Sequence, residues 1–138
     1  MSETGARYVG SWDLVPELSL YAAGSPPASG RYEITSDAHS ARLHLRVTWR
    51  MPGDADDRTT EFGGVADGKP IVLPAAPNAP DAFTLTHVDA STLDSAAMLG
   101  ETVIAYARRV VSEDGSLMAV VQEAGGKRNF QVYRRVDL

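Results

Sequence analysis

Residues 103–136 read VIAYARRVVSEDGSLMAVVQEAGGKRNFQVYRRV, and this stretch decides the fold. Three runs rich in Val, Ile, Tyr and Phe are separated by Asp114-Gly115 and by Gly125-Gly126. Such residues suit a pleated, half-buried strand. The separating dipeptides accept the positive φ of a two-residue hairpin turn. The stretch therefore predicts three consecutive antiparallel strands in an up-and-down meander.

The clearest strand signal upstream is a ten-residue alternation at residues 41–50. Odd positions are apolar and even positions are polar or basic, which predicts a strand with one buried and one wet face. The apolar face carries Leu43, Leu45, Val47 and Trp49; the other carries Arg42, His44, Arg46 and Arg50. We interpret the basic face as the solvated outside, because burying several unpaired cations is costly. The alternative is an anion-binding lining.

The rest of the chain continues the same pattern of short strands and tight turns. Further strands are predicted at residues 8–15, 31–36, 58–66, 69–73, 82–88 and 91–98. Residues 17–24 could form about two helical turns, with Leu18, Leu20 and Tyr21 as their apolar side. A long meander must close or leave open edges. We therefore predict one all-β domain, residues 1–138, folded as an antiparallel up-and-down barrel of about ten strands with at most one short helix after the first. A sandwich is the alternative.

Composition excludes several classes of function. A formal net charge of −5 argues against a nucleic-acid-binding domain. The absence of cysteine excludes thiol chemistry and disulfides. No run approaches the roughly 20 apolar residues of a membrane-spanning helix, and residues 1–7 lack an apolar leader segment. The sequence predicts a cytoplasmic protein without a membrane span.

Neither a metal site nor a catalytic motif is predicted. His39, His44 and His87 are isolated, without the paired spacing of metal ligands. There is no Gly-x-Ser-x-Gly motif and no phosphate-binding glycine loop. We therefore predict no catalytic residue, no metal and no cofactor.

Several short motifs resemble the calycins, which comprise lipocalins and intracellular fatty-acid-binding proteins. Gly10-Ser11-Trp12 is similar to the Gly-x-Trp signature of their first strand, and the chain ends on a similar last strand, residues 131–135. The order of the motifs at residues 10–14, 66–70, 108–115 and 132–135 further resembles a group of bacterial lipocalin-like proteins. The resemblance spans nearly the whole chain and implies the same barrel.

The resemblance implies structural roles for both ends of the chain. Gly10 and Trp12 would close one end of the barrel, with Arg134 or Arg135 stacked on the indole. On the last strand it turns Gln131 and Tyr133 inward, whereas alternation alone would turn Phe130, Val132 and Val136 inward. We follow the resemblance. Gln131 replaces the arginine with which fatty-acid-binding proteins hold a carboxylate, so the sequence puts a fatty carboxylate in doubt.

The function predicted is non-enzymatic binding or transport of a small hydrophobic ligand inside the barrel. Its expected contacts are Gln131, Tyr133, Tyr106, Arg108 and Trp49. One alternative is an isomerase- or cyclase-type enzyme using a histidine or tyrosine as proton carrier. The other is an interaction module whose barrel is filled by side chains.

Overall fold

The computed structural model describes residues 6–22, 26–37, 39, 41–74 and 76–136. Within them the chain forms eleven strands and one 3-10 turn, Pro16–Leu18. The strands are β1 (Gly10–Leu14), β2 (Leu20–Tyr21), β3 (Ser29–Ser36), β4 (Arg42–Arg50), β5 (Arg58–Val65), β6 (Ile71–Val72), β7 (Ala82–Asp89), β8 (Thr92–Leu99), β9 (Thr102–Val111), β10 (Leu117–Ala124) and β11 (Lys127–Arg135).

All strands belong to one antiparallel sheet. Its order is β5-β4-β3-β1-β11-β10-β9-β8-β7-β6, and β2 also pairs with β11. The neighbouring strands from β7 to β11 are joined by short turns, including glycines with positive φ at Gly100 and Gly115. β1 instead meets β11 on one side and, after the segment that contains β2, β3 on the other. The sheet curls into a nearly closed barrel. The predicted all-β, up-and-down architecture is confirmed.

A seam between β5 and β7 completes the barrel without a regular strand ladder. The loop after β5 donates from Gly68 N to Leu85 O at 2.8 Å and accepts at Ala66 O from His87 N at 3.2 Å. Beside these bonds, Phe62 and Phe83 meet edge to face with ring centroids 5.8 Å apart. Apolar packing therefore replaces the main-chain hydrogen bonds along much of this seam.

The helical prediction for residues 17–24 is wrong. After the 3-10 turn the chain becomes extended as β2, which pairs with Asn129 and Phe130 of β11. Ser19 fixes the transition, because its hydroxyl donates to Val15 O at 2.9 Å and accepts from Val132 N at 3.1 Å. A helix here would leave that edge of β11 without partners. Residues 23 and 24 lie outside the described residues. No helix among the described residues is long and apolar enough to cross a membrane.

Trp12 closes one end of the barrel, as the resemblance implied. Its side chain is completely buried, and its indole N–H donates to Tyr8 O at 3.1 Å. The guanidinium of Arg135 lies 4.1 Å from the ring centroid and donates to Val9 O and Gly115 O. A Cβ on Gly10 would lie 2.5 Å from that guanidinium, so only glycine leaves room for the stack. Arg135 fills the predicted role.

The alternation of residues 41–50 is confirmed in β4. Leu43 and Leu45 are buried, while Arg42, His44 and Arg46 are exposed. On the outer face, His44 lies 3.0 Å from Glu61 of β5. The alternative interpretation of the basic stripe as an interior anion-binding lining is wrong, because these side chains point away from the interior.

Candidate ligand-binding site in the barrel interior

The last strand turns its polar residues inward. Gln131 is 6% exposed and Tyr133 is 4% exposed, whereas Phe130 is 37% exposed. Val132 is buried although it has the outer parity of β11. Its backbone is bonded by the segment after β1: Val15 N donates to its carbonyl at 2.8 Å, and its own N–H donates to Ser19 Oγ at 3.1 Å. Simple alternation therefore misreads this strand.

A cavity of about 400 Å³ occupies the interior beside these residues. Val47, Trp49 and Phe62 form one wall, and Ser95 and Ala107 form the opposite wall. Trp49, a predicted ligand contact, does line this cavity. The volume falls within the range typical of small-molecule sites.

Arg109 is the central polar group of this cavity. Its side chain is only 2% exposed. It donates through Nε to the Tyr32 hydroxyl at 2.6 Å, through Nη2 to Ser95 Oγ at 3.1 Å and through Nη1 to Leu93 O at 3.5 Å. The guanidinium carbon lies 5.5 Å from the ring centroid of Tyr32 and 5.9 Å from that of Phe62.

Arg109 makes no ion pair within the described part of the chain, although its charge is one of the smaller causes of the lowered pKa of Asp94. None of the ion pairs found there includes Arg109. Buried cations are usually paired, since an isolated charge is costly to remove from water. The aromatic faces beside Arg109 offset part of this cost. The cavity therefore carries a positive charge that an incoming anion could neutralise.

Two of the predicted ligand contacts, Tyr106 and Arg108, lie away from this cavity, next to Arg109 on the same strand. Tyr106 and Arg108 lie on the outer face of β9 and do not enter the cavity that Arg109 faces. Arg108 holds Asp94 in a bidentate pair, with both distances 2.7 Å, and the Tyr106 hydroxyl donates to the same carboxylate at 3.1 Å. Although partial burial acts to raise the pKa of Asp94, these bonds lower it overall. The cluster is an outer-surface ion pair.

Strand pairing could have identified Arg109. Residues opposite one another in antiparallel strands share a face. The turn at Gly125-Gly126 sets Gln131 opposite Val120, and Val120 in turn lies opposite Arg109. Placing Gln131 inside thus places Arg109 inside and its neighbour Arg108 outside.

Gln131 is the central residue of a hydrogen-bonded network in the same cavity as Arg109. Its carbonyl oxygen accepts from the Tyr133 hydroxyl at 2.9 Å. Its amide donates to the Tyr21 hydroxyl and to Gln122 Oε1, each at 2.8 Å. Burial, with a smaller effect from Tyr32, raises the pKa of Tyr133 far above its usual value, so this tyrosine stays neutral and remains a donor. Each polar atom of the Gln131 side chain therefore has a partner.

Several hydrogen-bond donors in the cavity have no acceptor among the described residues. The Tyr32 and Tyr21 hydroxyls accept from Arg109 and Gln131, and neither hydroxyl proton has an acceptor among the described residues. A guanidinium offers five N–H donors, of which three are used here. The interior is thus complementary to a ligand group rich in acceptors, such as an anion.

Raised tyrosine pKa values predict a loss of stability at high pH. Burial raises the pKa of Tyr8, Tyr21 and Tyr133 above the ordinary value of 10.0. The unfolded chain releases these protons at lower pH than the folded chain, so their contribution is complete below pH 10 and falls as pH rises above it. Urea denaturation across this range should show a falling midpoint, and Tyr133→Phe should make the fall shallower. An identical pH profile for this variant would contradict the prediction.

The histidines lie away from this cavity. His44 is on the outer face, and His87 Nδ1 lies in a hydrogen bond with the Tyr8 hydroxyl, 2.5 Å away, near the opposite end of the barrel. No group of three or more histidine, aspartate or glutamate side chains among the described residues could hold a metal ion. Any proton transfer in the cavity would fall to a tyrosine, and burial has moved the Tyr133 pKa away from the range useful for a general base.

Comparison with solved structures supports the fold. The barrel is similar to the REP1-NXSQ fatty acid transporter, with a TM-score of 0.64, 16% identity and coverage of 94% of this chain and 96% of that chain. It is similar to the Schistosoma mansoni fatty acid binding protein in complex with arachidonic acid, with a TM-score of 0.64, 11% identity and coverage of 97% and 99%. It is also similar to the fluorescent protein UnaG, with a TM-score of 0.63, 14% identity and coverage of 94% and 98%.

No family model and no curated protein matches the sequence. The likeness to the solved structures is therefore one of fold, at identities where residues of a site do not transfer. The chemistry of the interior has to be argued from the side chains of this chain.

Proposed function

We propose that this protein binds a small amphiphilic molecule, with an apolar body and an anionic head, in the barrel interior without transforming it. The observation that carries the proposal is Arg109, a buried guanidinium that makes no ion pair among the described residues and faces a cavity of about 400 Å³. Two of the similar structures are a fatty acid transporter and a fatty acid binding protein, which agrees with this ligand class.

An anionic head accounts for the unpaired charge. A carboxylate beside Arg109 would accept its remaining N–H groups and the hydroxyl proton of Tyr32. Hydrogen bonds with an ionised partner are roughly twice as strong as neutral ones. The neutral amide of Gln131 therefore no longer argues against a carboxylate, because Arg109 supplies the cation from another strand.

The apolar walls account for the body of the ligand. Val47, Trp49 and Phe62 offer a surface on which each Å² of apolar contact contributes about 25 cal/mol. An interior filled by side chains, as a pure interaction module would have, does not agree with the observed volume.

A matched ligand pair tests the proposal. Isothermal calorimetry should show that dodecanoate binds and that dodecan-1-ol, which lacks the charge, binds roughly 10- to 100-fold more weakly, the range of a charge-assisted hydrogen bond. Binding of neither compound would overturn the proposal. Equal affinity for both would leave an apolar cavity but remove the role of Arg109.

The network around Gln131 yields a further prediction. Gln131→Leu and Tyr133→Phe should each weaken dodecanoate binding about fivefold, equivalent to one net hydrogen bond. Without Gln131 the Tyr21 hydroxyl loses its fixed position at the cavity. A neutral, environment-sensitive dye needs no hydrogen bond and should bind both variants as it binds the wild type. Equal loss of dye binding would mean that the substitutions disturb the cavity itself.

A further inference from the structure

A second compartment of about 440 Å³ lies along the inner wall towards the rim. Small side chains form this wall: Ala97, Ala105 and Ala124 occupy directly paired positions on β8, β9 and β10. The opposite side of the barrel carries larger residues such as Trp49. The small alanine side chains leave space along this wall.

The second compartment continues the Arg109 cavity. Both are bordered by Ser95, Ala107 and Gln122. Along β9, Arg109 and Ala107 belong to the inner cavity and Ala105 to the outer compartment. Four residues of strand separate Arg109 from Ala105, or about 13 Å. A ligand anchored at Arg109 can thus extend to the rim without crossing a wall.

Lys127 lies at the outer end of this path, at the rim of the barrel. It pairs with Ala124 across the β10–β11 turn, has the inward parity of Gln131, and borders the outer compartment. Within the described residues Lys127 has no ion pair. Its neighbour Arg128, in contrast, pairs with Glu123.

The other cations near this rim are paired as well. Arg50 lies 2.9 Å from Asp57, and Arg58 lies 3.0 Å from Asp54. Lys127 is therefore a second cation without an ion pair among the described residues, at the opposite end of the path from Arg109. The path between them is bordered by alanines and by polar groups that include Gln122, Glu123 and Asn129. Two such cations favour a ligand with an acceptor at each end.

We propose that the ligand site extends along the alanine wall and is built for an elongated molecule with anionic groups at both ends, the inner one at Arg109 and the outer one at Lys127. The inference rests on the proposed function, since it requires an anion at Arg109. It adds a second subsite and a length requirement. The alanines matter because any larger side chain there would fill the space between the two cations.

Dicarboxylates of different lengths are the direct test. At low ionic strength, dodecanedioate should bind wild-type protein more tightly than dodecanoate, and a short dicarboxylate such as hexanedioate should show no such gain. Lys127→Gln should weaken dodecanedioate binding about three- to fivefold, the scale of an exposed ion pair, and leave dodecanoate unchanged. High salt should abolish the difference, because it screens exposed charges.

The chain supplies a matched control. Lys69 is the only other lysine, and it follows a turn that pairs with Thr86 near the opposite end of the barrel. Lys69→Gln removes the same charge and should leave both ligands unaffected. Equal effects of the two substitutions, or none from Lys127→Gln, would overturn the second subsite.

A steric variant tests the path itself. Ala105→Leu should weaken dodecanedioate binding at least tenfold, because its side chain would fill the outer compartment, while octanoate retains its wild-type affinity for the Arg109 cavity. Unchanged dodecanedioate binding would place the ligand elsewhere. If wild-type protein binds neither dodecanoate nor dodecanedioate, the proposed function fails; if dodecanoate alone binds, only the second subsite fails.

Discussion

Trp12→Ala should lower the free energy of unfolding by about 3–5 kcal/mol, the usual cost of truncating a fully buried large aromatic residue. The indole is completely buried, and its removal leaves a void between Tyr8 and the barrel core. Tyr8 O would lose its donor, and the Arg135 guanidinium would lose the ring on which it stacks. The segment from Ala6 to Val9 depends on these contacts to stay across the barrel end.

Chemical denaturation monitored by circular dichroism measures this loss. Trp49→Ala is the matched control, because Trp49 is only partly buried and borders the ligand cavity. We expect it to cost about 1 kcal/mol, since the side chain already faces empty space on one side. A loss below about 1 kcal/mol for Trp12→Ala would mean that the Gly-x-Trp match has no structural consequence.

The barrel could be predicted because its determinants are local. Hairpin turns depend on dipeptides such as Asp114-Gly115 and Gly125-Gly126, whose positive φ the structure shows for each glycine. Strand faces depend on alternation, which β4 displays clearly from Arg42 to Arg46. Each signal lies within a few residues of the feature it specifies, so no tertiary information is needed.

Features that depend on contacts between distant segments were not predicted. Residues 17–24 have apolar spacing that permits a helix, but the free edge of β11 recruits Leu20 and Tyr21 as a strand. Val132, whose backbone is bonded by Val15 and Ser19, is likewise buried on the face that alternation alone would take as inward. In both cases a partner more than 100 residues away determines the local structure.

Arg109 shows how a site residue can escape detection within a correct fold. Arg108 and Arg109 are identical in type, so composition cannot separate them. Only strand pairing separates the two arginines. Gln131 lies opposite Val120, and Val120 lies opposite Arg109, so Arg109 shares the inward face of Gln131. The predicted contact Arg108 and the observed cavity residue Arg109 are neighbours on β9. A shift of one residue along a strand moves the side chain to the opposite face of the sheet.

Arg109→Met should abolish the preference for dodecanoate over dodecan-1-ol and, when combined with Tyr32→Phe, should leave the protein as stable as before or more stable. Methionine is an unbranched apolar residue that adapts to irregular space, so a large cavity is not expected. Replacing buried charge by apolar side chains is often neutral or stabilising, by as much as about 1–4 kcal/mol for ion pairs or triads. A residue retained only for folding would not behave in this way.

Tyr32 needs its own variant, because Arg109→Met leaves its hydroxyl without the present donor. An unsatisfied buried hydroxyl costs about 1–3 kcal/mol, which could mask the gain. The double variant Arg109→Met, Tyr32→Phe removes both partners and should be at least as stable as the wild type. Its denaturation midpoint and its affinity for the two twelve-carbon ligands are the measurements.

Arg108→Met provides the control, because it removes the same charge from the next residue of the same strand. Arg108 lies outside, paired with Asp94, so its loss should leave dodecanoate affinity unchanged and lower stability by no more than about 1 kcal/mol. If both arginine variants bind dodecanoate as the wild type does, the ligand head does not contact Arg109. If Arg109→Met with Tyr32→Phe unfolds instead, the buried guanidinium is a structural centre of the barrel, and its unpaired charge is not held for an anion.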